Sequence, residues 1–224
     1  MNAPTLEQLT LAFELIGTAA FALSGVMTAV KKELDVLGVL VVGVVTAVGG
    51  GALRDVLLGR LPPVMFTAPV YALVAAAVCL IAFLLLYLRG PRSLAYLERF
   101  NPVINVFDAI GLGVFAVAGV RAAFSLGFGQ NAFLAVFVGT VTGVGGGLMR
   151  DMLAGDIPMV LKKRVYALAA IAGAALYYTM ARLALDEGAA QLCGMGLVVL
   201  IRLLATRYKW NLPRIRINGD GPAR

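Results

Sequence analysis

A heptapeptide that joins three glycines to an arginine–aspartate pair occurs twice in this chain, as GGGALRD at 49–55 and as GGGLMRD at 145–151. Each copy lies within a long apolar segment. Each glycine costs a helix interior roughly 1 kcal/mol relative to alanine, so three in a row weaken the helix. Where the backbone ladder opens beside a protein-lined or water-filled cavity, carbonyl oxygens can replace an ion's water shell. The pattern predicts a kinked segment that lines a permeation pathway.

The candidate pathway residues are the two triplets and the threonine that lies three residues before each of them. Because residues three apart share a helix face, the threonine hydroxyls would add oxygen ligands near the glycines. We expect an ion near these positions, which are Gly49, Gly50, Gly51, Gly145, Gly146, Gly147, Thr46 and Thr142. The alternative is close helix packing, the usual role of isolated small residues in membrane helices. A phosphate-binding loop is disfavoured because no strand precedes the glycines and no P-loop lysine is present.

Charged side chains within apolar segments are costly in a membrane and are therefore candidate functional residues. Glu14 and Asp108 occupy equivalent positions of a repeat, as do Arg54 and Arg150. Their depths along the predicted helices indicate two ion pairs, Glu14 with Arg54 and Asp108 with Arg150, one toward each end of the pathway. The other candidate gate or mouth charges are Asp55 and Asp151, which would attract cations, and Arg121, which would sense voltage or extend to the outer surface.

The repeat extends beyond the heptapeptide. FELIGTAAFALSGV from Phe13 matches FDAIGLGVFAVAGV from Phe107, and VYAL occurs at both Val70 and Val165. Each copy covers three apolar segments, and a unit that crosses a bilayer three times ends on the opposite face. The second copy must therefore be inverted relative to the first. Inverted repeats recur in membrane transport proteins, with the pathway where the halves meet.

Composition places the chain in a membrane. Hydrophobic residues make up 61% of it, charged residues only 14%, and the mean hydropathy is +0.91. The sequence contains no histidine, which excludes imidazole catalysis and imidazole metal ligation. We expect no enzyme activity and no cofactor. Cys79 and Cys193 are single cysteines in apolar segments, typical of small buried hydrophobes.

The pattern predicts an all-α integral membrane protein with seven transmembrane helices, arranged as two inverted three-helix repeats plus one C-terminal helix. The spans are expected near 9–30, 37–58, 68–88, 103–124, 131–153, 163–183 and 188–206. The corresponding units are a first three-helix repeat over 1–89, a second, inverted repeat over 103–183, a seventh helix over 188–206 and a basic cytoplasmic tail over 207–224.

The distribution of positive charge sets the expected orientation. Most lysines and arginines outside the spans lie in the loops and the tail of one face, which the positive-inside rule assigns to the cytoplasm. The N-terminus is then outside and the C-terminus cytoplasmic, in a multi-pass protein of the bacterial inner (plasma) membrane. The net charge of +7 does not indicate nucleic-acid binding, because it is spread over these loops. The basic tail either contacts anionic lipid or is solvated and disordered.

These features resemble the trimeric intracellular cation (TRIC) channel family, and most closely its bacterial branch, also described as glycine transporter-like membrane proteins. The resemblance covers about residues 9–206 and depends on the doubled GGGxxRD motif, the three-plus-three repeat and the seventh span. It implies a homotrimer in the lipid bilayer, with one pore per subunit between the kinked second and fifth helices. It also implies a monovalent cation near the two triplets, with potassium as the main permeant ion and sodium as the other. A lysine-containing lipid-binding motif of animal members is replaced here by Ala52-Leu53-Arg54-Asp55, so phosphoinositide regulation is not inferred.

Two functions are therefore weighed. The first is a potassium-permeable channel with electrostatic selection at its mouths. The second is a carrier for glycine or another small neutral amino acid, whose charged groups would bind at broken-helix ends. A membrane enzyme with paired carboxylates is disfavoured, because Glu14 and Asp108 are expected toward opposite faces. A purely structural subunit would leave the duplicated glycines unexplained.

Overall fold

The computed structural model describes residues 3–89, 101–162 and 165–210, and this part of the chain contains helices and turns but no strands. In chain order the helices are α1 (Ala3–Lys31), α2 (Val36–Leu57), α3 (Val64–Thr67), α4 (Val70–Arg89), α5 (Asn101–Ser125), α6 (Ala132–Leu153), α7 (Met159–Lys162), α8 (Val165–Arg182) and α9 (Glu187–Arg207). Two of them, α3 and α7, are single turns that follow α2 and α6.

The seven long helices coincide with the seven predicted spans to within a few residues, except at the start of α1. That helix begins at Ala3 rather than near residue 9, because a helix can continue past the membrane boundary through helix-forming residues such as Leu6, Glu7 and Gln8. The predicted connection between the halves falls at 90–100, outside the described residues, and so does most of the predicted tail, from residue 211 onward.

Six of the long helices in the described residues are long and apolar enough to cross a membrane, and α8 is not among them. This helix, VYALAAIAGAALYYTMAR, is rich in alanine and carries three tyrosines and an arginine. Alanine contributes less apolar surface than leucine or valine, which explains its weaker membrane signal. The chain is a multi-pass membrane protein, while the count of seven crossings stays a prediction.

Polar side chains at three helix starts explain why those helices begin where they do. The carboxylates of Asp35 and Asp186 accept hydrogen bonds from the first turns of α2 and α9, and the amide oxygen of Asn131 does so for α6. Each such cap satisfies a backbone N–H that has no partner within its helix. The ends of α2 and α6 are also alike, since Gly59 and Gly155 follow them with φ of 70° and 69°. Glycine adopts this conformation without steric cost.

The long helices differ in how much of their surface the chain itself covers. α5 is mostly buried, whereas α4 buries only Ala75 and Cys79 and presents most of its leucines outward. An exposed apolar helix face suits lipid tails or a neighbouring membrane subunit. Cys79 is buried as predicted, but Cys193 is exposed, so its predicted burial is wrong. Its position on α9 faces away from the rest of the chain.

Candidate permeation pathway

Both glycine triplets lie inside continuous α-helices. α2 runs unbroken over 36–57 and α6 over 132–153, so the predicted opening of the backbone ladder at the triplets is wrong for this structure. The reason lies in the surroundings. Five of the six triplet glycines pack against other side chains or backbone, and tertiary packing outweighs the weak helix propensity of glycine. No carbonyl of either triplet is therefore freed from its helix as a cation ligand.

The triplets are where α2 and α6 cross. A Cβ added to Gly50 would overlap the carbonyl oxygen of Thr142, and a Cβ added to Gly146 would overlap the carbonyl oxygen of Thr46. The position on α6 falls as the position on α2 rises, so the two helices run in opposite directions at this contact. Backbone-to-backbone approach of this kind is possible only where the side chain is a hydrogen atom.

The two threonines predicted as ligands support helix packing instead. Both are fully buried, and their hydroxyls donate to carbonyls of their own helices, Thr46 to Val42 at 2.5 Å and Thr142 to Val138 at 2.6 Å. Each hydroxyl faces a glycine of a neighbouring helix rather than the cavity described next. This placement favours a packing role over ion coordination.

A cavity of about 640 Å³ lies at one end of the molecule, beside α2 and between α1, α4, α5, α8 and α9. It reaches solvent near Arg60 and Ser125, which are exposed. α6, whose residues are all described, contributes nothing to its wall. The polar side chains that line this Glu14 end, as we call it, are Glu14, Thr18, Arg54, Asp55, Arg60, Tyr71, Arg121, Ser125, Tyr177 and Glu187.

The predicted ion pair at the Glu14 end is wrong. Among the described residues Glu14 and Arg54 form no ion pair; the Nε of Arg54 donates instead to its sequence neighbour Asp55 at 2.8 Å. Glu14 accepts a hydrogen bond from the hydroxyl of Tyr71. Asp55 is nearly fully buried and Arg54 compensates its charge, whereas the equivalent Arg150 contacts both its neighbour Asp151 and Asp108.

The predicted ion pair at the other end is confirmed, and it belongs to a larger buried cluster. The Nη1 of Arg150 lies 2.8 Å from Asp108 Oδ1, and both side chains are fully buried. Nη1 also lies 2.5 Å from the hydroxyl of Ser24. The hydroxyl of Tyr166 donates to Asp108 Oδ1 at 3.2 Å, and Arg202 donates to Asp108 Oδ2 at 3.3 Å. We call these five residues the Asp108 cluster.

The two aspartates of the repeated motif hold the loops that follow their helices. Asp55 accepts from Arg54 at 2.8 Å and from the backbone N–H of Val64 at 2.8 Å. Asp151 does the same with Arg150 at 2.9 Å and with the backbone N–H of Met159 at 2.6 Å. Both carboxylates are buried and engaged on both oxygens, which favours an anchoring role over the predicted attraction of cations at the mouths.

Arg121 belongs to the Glu14 end. It lines the cavity and its Nε lies 3.7 Å from Glu187 Oε1, at the first residue of α9. Glu187 also accepts hydrogen bonds from Tyr177 at 2.5 Å and from Gln191 at 3.2 Å. The cavity therefore holds arginines and carboxylates together, in partly buried positions where charges interact more strongly than in water.

Sequence reasoning missed several contributors to these ends, which are Ser24, Tyr166 and Arg202 in the Asp108 cluster and Tyr71, Tyr177 and Glu187 beside the cavity. Tyr71 and Tyr166 lie within the two VYAL segments, so the repeat itself was a signal for them. Arg202 was not among the predicted site residues. The signal available for it was an arginine in the interior of the last apolar segment, five residues before Arg207.

Comparison with known proteins identifies the family. A family model described as "Glycine transporter" matches two segments of the chain, 11–87 and 105–182. A solved structure that shows the structural basis for conductance through TRIC cation channels superposes on this chain with a TM-score of 0.80 at 36% sequence identity. The match covers 93% of this chain and 98% of that one. The chain is a bacterial member of the TRIC family.

Other relatives of this TRIC family member are similar over almost their whole length. The inner membrane protein YadS of Escherichia coli K12 is 41% identical over 212 residues, covering 93% of this chain and 97% of YadS. The membrane protein YvgT of Bacillus subtilis is 37% identical, with 89% and 93% covered. The TRIC orthologue from Rhodobacter sphaeroides superposes with a TM-score of 0.79 at 30% identity, over 90% of this chain and 98% of that one.

Proposed function

We propose that this TRIC family member is a channel for monovalent cations, chiefly potassium, with one pathway in each subunit of a homotrimer. The observation that carries the proposal is the fold, which matches solved TRIC cation channels over nearly the whole chain. The outward-facing leucines of α4 offer a surface for lipid or for a neighbouring subunit in the trimer.

The pathway begins in the cavity of the Glu14 end and passes beside the crossing of α2 and α6. Gly51 supports this course, because it lines the cavity and a Cβ added to it would meet only Arg54, at 3.8 Å. Phe115 lines the cavity and stacks on Phe21 with 5.3 Å between ring centroids. Beyond this pair lies the Asp108 cluster, so an ion must pass the aromatic pair and the cluster to cross.

The opposed contacts of Gly50 and Gly146 support an inverted arrangement of the two halves. The opposite end of the molecule, which holds the Asp108 cluster, is called the Asp108 end. With the N-terminus outside a bacterial inner membrane, the Glu14 end faces the exterior and the Asp108 end faces the cytoplasm. Lys32 and Asp156 form an exposed ion pair of 2.8 Å that belongs to the loops of the cytoplasmic face in this orientation. The positive-inside rule supports the same assignment.

A second candidate function is a carrier for glycine or another small neutral amino acid. The observation that favours it is the mixed charge of the cavity, where Arg54 and Arg121 share one space with Glu14 and Glu187. A zwitterion needs a cation for its carboxylate and an anion for its ammonium group, whereas a channel for cations gains nothing from the arginines. The printed description of the family model agrees with this candidate.

The deciding experiment is recording of the purified protein in a planar bilayer under asymmetric KCl, paired with glycine uptake into liposomes. The channel proposal predicts discrete openings that reverse near the potassium equilibrium potential. Gly51→Val should reduce their conductance by filling the cavity wall, while Gly196→Val, at an exposed helical glycine with open space around it, should not. A silent bilayer with saturable glycine uptake would contradict the channel and establish the carrier.

A further inference from the structure

The two ends of the molecule are built from equivalent residues but adopt different arrangements. Glu14 corresponds to Asp108 and Arg54 to Arg150 in the repeat, yet only the second pair is formed. The last glycine of each triplet also has different surroundings at the two ends. Gly51 borders the cavity, whereas a Cβ added to Gly147 would meet the hydroxyl of Tyr166 at 2.6 Å. One end is open and the equivalent volume at the other end is filled.

The side chain that distinguishes the filled end comes from α9, which has no counterpart in the repeat. The Nη2 of Arg202 lies 3.3 Å from Asp108 Oδ2, and its guanidinium carbon lies 4.5 Å from the centre of the Tyr166 ring. Arg202 therefore contacts both residues that close over Gly147. At the Glu14 end no described arginine bonds to Glu14 in this manner.

α9 acts on the open end as well, through its first residue. Glu187 lies 3.7 Å from Arg121 and accepts a hydrogen bond from Tyr177. Arg121 has no equivalent in the first half, where the aligned position is Met27. The same helix thus supplies a cation to the carboxylate at one end and a carboxylate to the cation at the other. Both contacts therefore favour an arrangement in which the two ends of the molecule differ.

Arg202 binds the Asp108 end less tightly than Arg150 does, so its contacts can be broken more easily. Arg202 is 2% exposed, and its Nε has no hydrogen-bond partner among the described residues. Nη2 of Arg150 also lacks a hydrogen bond within the described part of the chain, but it lies 2.8 Å from Asp151 Oδ1 in an ion pair. A buried donor without a partner weakens the arrangement that contains it. A single contact to Asp108 at 3.3 Å is also longer than the 2.8 Å of Arg150. Movement of α9 would withdraw Arg202 first.

We infer that Arg202 is a gating residue that keeps the Asp108 end closed, so that α9 determines which end of the pathway is open. The inference rests on the proposed pathway, because a gate requires one. It does not require the permeant species to be a cation, since the same contacts would hold a carrier in a state open only at the Glu14 end. A ligand or voltage shifts such an equilibrium only by favouring one arrangement over the other.

The test uses a water-soluble, membrane-impermeant thiol reagent on protein in which Cys79 and Cys193 are replaced by alanine. Val48 is 7% exposed and lines the cavity, while Val144, its equivalent in the repeat, is partly buried against the core around Leu112, Ala116 and Tyr166. The thiolate is the reacting species, so a thiol in a packed core or in lipid is protected. Val144→Cys reports on the closed end and Val48→Cys on the open end.

Arg202→Met should raise the labelling rate of Val144→Cys by about tenfold, the factor that corresponds to loss of about 1.4 kcal/mol from the closed arrangement. Labelling of Val48→Cys should stay unchanged. Arg202→Lys, which keeps the charge, should leave the Val144→Cys rate close to that of the parent. Arg207→Met removes an exposed arginine from the same helix and should have no effect.

Three outcomes would overturn the inference. They are an unchanged Val144→Cys rate in the Arg202→Met variant, an equal rise at Val48→Cys, and the same rise with Arg207→Met. An equal rise at both sites would mean general loosening of the fold, which elution of the oligomer reports independently. The labelling result does not depend on conduction. If the bilayer recording shows no openings but the labelling result is as expected, the gating role of Arg202 stands and only the channel proposal is contradicted.

Discussion

The Glu14 end and the Asp108 end carry nearly the same side chains, but the Glu14 end contains a cavity whereas the side chains of the Asp108 end pack against one another. At the Asp108 end two arginines, a tyrosine and a serine surround one carboxylate, and the side chain of Tyr166 packs against Gly147. At the Glu14 end the carboxylate of Glu14 accepts a hydrogen bond from Tyr71, and Arg54 donates to Asp55 rather than to Glu14. The comparison teaches that a duplicated motif sets which groups are present, while the unduplicated helix α9 decides how they pair.

The crossing of α2 and α6 is common to both ends, so breaking it should have the largest effect. Gly50→Ala with Gly146→Ala places two methyl groups against the carbonyl oxygens of Thr142 and Thr46. Backbone atoms cannot rotate away as a side chain can, and overpacking costs about 1–3 kcal/mol at each site. We expect the midpoint of thermal unfolding in detergent to fall sharply and conduction to be lost.

The matched control for this variant is Gly196→Ala. Gly196 is an exposed glycine within α9 with no atom in the way of a Cβ, so alanine should leave stability unchanged or raise it by up to about 1 kcal/mol. Equal unfolding midpoints for the double variant and this control would refute the close crossing.

The next largest effect should come from the carboxylate of the closed end. Asp108→Asn leaves Arg150 and Arg202 in a fully buried site without their shared anion, and removing one partner of a buried ion pair typically costs about 3–5 kcal/mol. We expect a lower yield of the folded oligomer and a lower unfolding midpoint, measured by fluorescence-detected size-exclusion chromatography after heating. A normal midpoint would show that the cluster is not a paired, low-dielectric site.

The equivalent change at the open end should be the smallest. Glu14→Gln keeps an acceptor for the hydroxyl of Tyr71 and leaves Arg54 on Asp55. The expected cost is about 1 kcal/mol, the net contribution of a typical hydrogen bond. The heating assay applied to Asp108→Asn should therefore separate the two variants clearly. Equal losses for both would remove the difference between the ends.

Much of the fold could be predicted because apolar length and helix boundaries are local properties. The seven long helices follow hydropathy and the residues at their caps, such as Asp35 and Asn131. The Asp108–Arg150 pair was predictable because repeat equivalence and depth along a helix place both side chains together. For Glu14 and Arg54 the depth prediction is wrong, because Arg54 bonds only to Asp55 among the described residues whereas Arg150 bonds to both Asp151 and Asp108.

The features that could not be predicted depend on tertiary contacts between distant segments. Three glycines in a row weaken an isolated helix, but Thr142 and Thr46 of the crossing helices pack against them and the helices stay intact. The role of Arg202 requires knowing that α9 packs beside Asp108, 94 residues away in sequence. Hydropathy gives the position of α9 along the chain but not its neighbours.

The central claim is that the resting molecule is open at the Glu14 end and closed at the Asp108 end. It is tested most directly by labelling Val48→Cys and Val144→Cys, each without the native cysteines, with an impermeant thiol reagent applied to one membrane face at a time. The account predicts fast labelling of Val48→Cys from the outer face only, and protection of Val144→Cys from both faces. Equal labelling of the two sites, or labelling of Val144→Cys alone, would contradict it.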